Sequence, residues 1–168
     1  MITLIHAHIL PAALSLLPPE MDTPNARAEV LTIGLQESRF EHRWQVRGPA
    51  HGFFQFEYAG GVMGVASHHS TRDHLAAACT ALRYHGAQDV PETLYRAIEH
   101  NDVLACVCAR LLLWTLPQAL PGQHEAQEGW EQYIAAWRPG RPHRDTWDAY
   151  HRQAWEVVSS RSLSPPPA

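Results

Sequence analysis

A chain of 168 residues with 45% apolar and 18% charged residues has the length and composition of one soluble globular domain. Its formal charge of −4 is too mild to steer it onto nucleic acid or an anionic membrane. All thirteen basic residues are arginines, which excludes Schiff-base chemistry, a P-loop nucleotide site and a lysine general base. Three cysteines are too few for a disulfide framework.

The amino end, residues 2–17, is apolar but carries His6, His8 and Pro11 and lacks a basic start. It is expected to form a packed first helix near residues 11–17, without a secretory signal. No run of about eighteen apolar residues occurs, so no bilayer span or membrane insertion is expected. Thr23-Pro24, an N-cap followed by a first-turn proline, predicts a helix to about residue 40. Ser70 or Thr71 opens a helix running to His85, where Gly86 stops it. A short helix follows Pro91. Asn101-Asp102 opens a strongly apolar, central helix over 103–114, ended by Pro117. Two more helices cover 125–137 and 145–158, separated by the Arg138-Pro139-Gly140-Arg141-Pro142 turn. The reading is therefore a mostly α domain over 1–158, with a serine- and proline-rich disordered tail at 159–168. Between Gly48 and Gly64 lie five of the ten glycines, interleaved with Phe53, Phe54, Phe56 and Tyr58. That region fits a structural loop with buried aromatics, a small β-hairpin, or a close-approach surface where aromatic faces meet sugar rings.

Along the 24–40 helix, Ala26, Val30, Ile33 and Glu37 share one face, with Gly34 beside Glu37. Arg27, Glu29, Thr32 and Gln36 fall on the remaining surface. Glu37 is thus an acid on the core-facing stripe, opening towards the glycine-rich loop. Removal from water raises a carboxyl pKa, the tuning a general acid needs near neutral pH. The same spacing also fits a glutamate that passes the helix end into solvent or pairs with Arg39 or Arg43.

Glu37-Ser38-x-Phe40 followed by Ala50-x-Gly52-x-x-Gln55 resembles the soluble lytic transglycosylases of the lysozyme-like superfamily. There Glu-Ser-x-Phe precedes Gly-Ala-x-Gly-Leu-Met-Gln, and the glutamine follows the glutamate by eighteen positions, as Gln55 follows Glu37. Gly48-Pro49 stands at the approach to that motif, and Phe53-Phe54 replace its Leu-Met. Asn101–Ala105 and Ala109-Arg110-Leu111-Leu112 are similar to the family's central helix. Ala135-Ala136-Trp137-Arg138-Pro139-Gly140 is similar to its Ala-Ala-Tyr-Asn-Ala-Gly turn. Asp145-Thr146 and Tyr150 resemble its terminal Glu-Thr-x-x-Tyr, with one extra residue. Glu57, two after Gln55, is closer to goose-type lysozyme. The likeness covers residues 24 to 158.

The resemblance implies a lysozyme-like helical fold and cleavage of the β-1,4 bond between N-acetylmuramic acid and N-acetylglucosamine in peptidoglycan. It gives Glu37 the role of general acid and base, with no cofactor. Glu57 is the candidate second carboxylate of an inverting hydrolase; a transglycosylase needs none. Gln55 would hydrogen-bond the sugar or its acetamido group. Ser38 would bond Glu37 or substrate, and Gly52 falls on a groove position. Phe54, Tyr133 and Trp137 would wall the groove, and Tyr150 would contact the glutamate. Absence of a signal, in this setting, resembles phage or prophage lysis and tail-associated proteins. Such a protein would be made in the cytoplasm and delivered through a tail or a holin to act outside it, as a monomer.

Two rival readings stand beside this one. Twelve histidines suggest metal, but Cys106 and Cys108 project about 200° apart on a helix, and the adjacent His68 and His69 diverge likewise. No His-Glu-x-x-His motif is present, so zinc is not expected. A non-catalytic phage structural or wall-binding protein is favoured by Trp137-Arg138 standing where the family has Tyr-Asn.

Overall fold

The computed structural model describes residues 1–84 and 90–161, and among them the chain is mostly helical. α1 (Ile2–Leu4), a π turn (Ile5–Ile9) and α2 (Leu10–Leu14) form one continuous N-terminal helix. It begins nine residues before Pro11. The wider π turn accommodates Pro11, which has no N–H to donate and crowds the preceding turn.

α3 (Pro24–Ser38) is the helix that carries Glu37. Thr23 caps it by accepting from the Ala26 N–H, and Pro24 sits in its first turn. Its far end closes through two successive left-handed residues, Arg39 (φ 53°) and Phe40 (φ 57°). The Ser38 hydroxyl donates to the Phe53 carbonyl at 2.7 Å and accepts from the Phe40 N–H at 3.1 Å. The Phe40 ring lies so close over Gly34 that a Cβ there would stand 2.2 Å from its Cζ. Gly34 is required by that ring. The one-face reading of α3 is corrected: Glu29 and Thr32 are as buried as Val30 and Ile33, because α9 covers the side expected to meet water.

No strand occurs among the described residues. In place of a hairpin over 48–64 there are two isolated antiparallel bridges, Trp44 with His51 and His51 with Phe56. A π turn (Tyr58–Val62) then leads into α4 (Met63–Ser67), neither of which the sequence pattern announced. α5 (Arg72–Ala81) follows Thr71 and ends earlier than expected; His85 and Gly86 lie outside the described residues. α6 (Val90–His100) is followed by α7 (Asp102–Trp114), whose cap is Asn101 accepting from the Leu104 N–H. α7 is buried over almost its whole length, Cys106 and Cys108 included. α8 (Ala126–Trp137) and α9 (Arg144–Arg161) complete the fold. α9 extends through 159–161, so the expected disordered tail is helical there; residues 162–168 lie outside the described set. No described helix is long and apolar enough to cross a membrane.

Candidate functional site

The end of α3, the 45–57 loop, the π turn and the C-terminus of α8 enclose an open cleft of about 1210 Å³. Glu37, Gln55, Glu57, Tyr133 and Trp137 all line it. Three of these come from two segments close in sequence, and Tyr133 and Trp137 are brought in by α8.

Glu37 is half-buried, and the Tyr133 hydroxyl donates to its Oε1 at 2.7 Å. Burial pushes the Glu37 carboxyl up to about 7; the Tyr133 hydrogen bond opposes that rise and the charge of Glu57 adds to it. Tyr133 is itself buried, stacked on Trp147 with ring centroids 5.0 Å apart, and Trp130 and Trp137 pack around it. Burial, followed by the neighbouring carboxylate, pushes its phenol up, so it stays a hydrogen-bond donor. Neither expected arginine partner reaches Glu37: Arg43 makes a two-pronged contact with Asp102 at 2.9 and 2.8 Å, and Arg39 is exposed. The acid on the stripe therefore faces a cleft and a phenol.

Gln55 adopts a left-handed backbone (φ 48°), and its Nε2 donates to the Gly52 carbonyl at 2.8 Å. This closes the loop and turns the amide towards the cleft. Glu57 is exposed at the start of the π turn. Trp137 is half-buried, with its indole N–H donating to the Phe54 carbonyl at 2.9 Å and its ring 5.7 Å from Phe56. α8 is thereby tied to the loop that carries Gln55.

Four expected contacts are corrected. Ser38 lies beneath the cleft, its hydroxyl spent on Phe53 and Phe40. Phe54 is fully buried and meets Phe40 edge-on at 6.1 Å, so it offers the cleft wall only through the carbonyl that holds Trp137. Gly52 is a backbone position: φ is +73° and a Cβ would stand 2.8 Å from the Ile98 carbonyl oxygen, a place only glycine fills without strain. Tyr150 does not line the cleft; the phenol on the glutamate belongs to Tyr133, ninety-six residues along the chain from it.

Sequence reasoning gave no site role to Gln36, His68, Arg141 and His143, which line the cleft together with Arg138. In the sequence the charged turn after α8 reads as a separator of two helices and, through Arg138, as an altered family turn, which gives Arg141 and His143 no part in a groove. Among the described residues no group of three histidine, cysteine or acidic side chains is placed to hold a metal ion.

Chemically the site holds a carboxyl able to give and take a proton near neutral pH, a phenol to orient it and an amide to bind a polar ligand. Comparison of the chain with models of known families, with curated proteins and with solved structures finds no match.

Proposed function

We propose that this protein cleaves the glycan strands of peptidoglycan as a lysozyme-like lytic transglycosylase, with Glu37 as general acid and then base. The observation that carries the reading is Glu37: a half-buried carboxyl raised to about 7, oriented by Tyr133 in a cleft that also holds Gln55. Such a carboxyl protonates the departing glycosidic oxygen as positive charge develops at the sugar. The carboxylate so formed then removes the proton of the muramyl 6-hydroxyl, which closes a 1,6-anhydro ring and returns Glu37 to its acid form. The Tyr133 bond keeps Oε1 in place through both steps.

A second reading, inverting hydrolysis, is favoured by Glu57, which lines the same cleft and whose charge raises the Glu37 pKa. There Glu57 would activate water from the far face, at a separation of roughly 6.5–9.5 Å. Delivery through a phage tail or a holin belongs to the same proposal.

Purified sacculi digested with the protein test both. Soluble fragments ending in 1,6-anhydromuramic acid support the transglycosylase. Reducing ends, heavier by one water, together with loss of activity in Glu57→Gln, support the hydrolase. Binding to sacculi without any soluble fragment overturns both and leaves a wall-binding module.

A further inference from the structure

The cleft has an unusual lip. Arg27, Arg43, Arg72, Arg96 and Arg144 are paired with Asp22, Asp102, Asp73, Glu92 and Asp148. Arg138 and Arg141, like Arg39, Arg47, Arg83, Arg110 and Arg152, have no carboxylate within 4.0 Å among the described residues, but of these only Arg138 and Arg141 line the cleft, and both are exposed. In a chain of net charge −4, two uncommitted guanidinium groups three residues apart at one cleft mark an anion-binding surface.

The lip is also fixed in place. Arg138 takes the left-handed position that ends α8 (φ 50°, ψ 52°), held by its N–H on the Ile134 carbonyl at 3.1 Å. Its Nε makes only a 3.4 Å contact, to the Ala135 carbonyl. Pro139 and Pro142 stiffen the turn. On one side Trp137 is tied to Phe54. On the other, Gln36 donates to the His143 carbonyl at 3.0 Å and accepts from the Thr146 hydroxyl at 3.0 Å. Gln36 is the neighbour of Glu37, so the cationic turn is pinned to the helix end that carries the acid. At the tip, a Cβ on Gly140 would meet nothing within 4 Å, which leaves the turn open to a ligand.

We infer that Arg138 and Arg141 are specificity residues that grip carboxylates hanging from the muramyl ring of the bound glycan. These carboxylates are those of the stem peptide where one is attached, since the lactyl carboxyl is then an amide, or the free lactyl carboxylate where the stem is absent. The inference rests on the glycan reading of the cleft. A neutral β-1,4 glycan of N-acetylglucosamine alone fits the same groove but gives the two guanidinium groups nothing to bind.

Binding is measured by calorimetry with the Glu37→Gln protein, so that turnover plays no part. The probes are soluble peptidoglycan fragments with stem peptides, the same fragments after amidase removal of the stems, and neutral chito-oligosaccharides of equal length. The expected result is about tenfold tighter binding of carboxylate-bearing glycan than of the neutral one. That ratio should fall towards one in Arg138→Gln/Arg141→Gln, and as salt is raised. Preference for the stem-bearing fragments over the neutral glycan assigns the stem carboxylates, and preference for the amidase-treated fragments over the neutral glycan assigns the lactyl carboxylate that the amidase frees. Arg141→Gln alone, at an exposed turn position, should lower the ratio and guards against misfolding of the double variant. Equal affinity for all three probes, or a ratio untouched by the arginine changes, overturns the inference. Cleavage of sacculi by the unaltered protein is scored separately. Preference without cleavage removes the catalytic reading alone, and cleavage without preference removes the arginine lip alone.

Discussion

Glu29 and Glu37 stand about two turns apart on the same helix, and burial raises both carboxyls, to about 8 and about 7. Their surroundings differ in every other respect. Glu37 opens on a cleft and receives the Tyr133 hydroxyl. Glu29 is 1% exposed, neither of its oxygens has a hydrogen-bond partner, and it is packed against Gly129 of α8, where a Cβ would stand 3.0 Å from Oε2. His151 on α9 stands 4.0 Å from Glu29, a histidine whose pKa burial lowers. A raised pKa alone thus does not single out a candidate acid; access and an orienting partner are what make Glu37 the proposed one.

The sharpest separation of the two is by substitution. Glu37→Gln should lower release of fragments from sacculi by at least about a thousandfold while leaving helical content intact, measured by turnover and circular dichroism. Glu29→Leu should leave turnover alone and raise stability by about 1–4 kcal/mol at pH 8, measured by urea unfolding. The sign follows from the direction of the shift. A folded-state carboxyl pKa above the unfolded 4.5 binds protons more tightly in the folded chain, so its stability is full below 4.5 and is lost as pH rises to about 8. The gain from Glu29→Leu should therefore grow across that window and level off above it; a constant gain would place the Glu29 proton elsewhere.

Smaller effects sharpen the Glu37 side. Tyr133→Phe removes the bond that holds the Glu37 pKa down, so the basic limb of the pH–rate profile should move upward while turnover falls about tenfold. An unmoved limb would mean the phenol does not touch the working acid. Trp137→Phe keeps an aromatic ring, though a smaller one, and deletes the N–H donated to Phe54, costing about 1 kcal/mol of stability and a few-fold in turnover.

The same helix shows what the sequence made legible. Thr23-Pro24 and Asn101 announced the starts of α3 and α7, because capping chemistry is local. The eighteen-residue interval between Glu37 and Gln55 anticipated a shared cleft, since both lie on a short connected segment. Glu29 went unrecognised because a charged residue reads as exposed, and its burial depends on α8 and α9, about a hundred residues later. Tyr133 was assigned to the wall while its bond was given to Tyr150, since no local pattern says which aromatic a distant helix will deliver. Ser38, Gly52 and Phe54 do backbone work that a motif does not distinguish from ligand contact.

The most direct measurement sets the two glutamates side by side: fragment release from purified sacculi by Glu37→Gln and by Glu29→Gln, each against the unaltered protein at neutral pH. The account requires the first to be inactive and the second to work at essentially the unaltered rate. Undiminished release by Glu37→Gln, or loss of release in a folded Glu29→Gln, would contradict it.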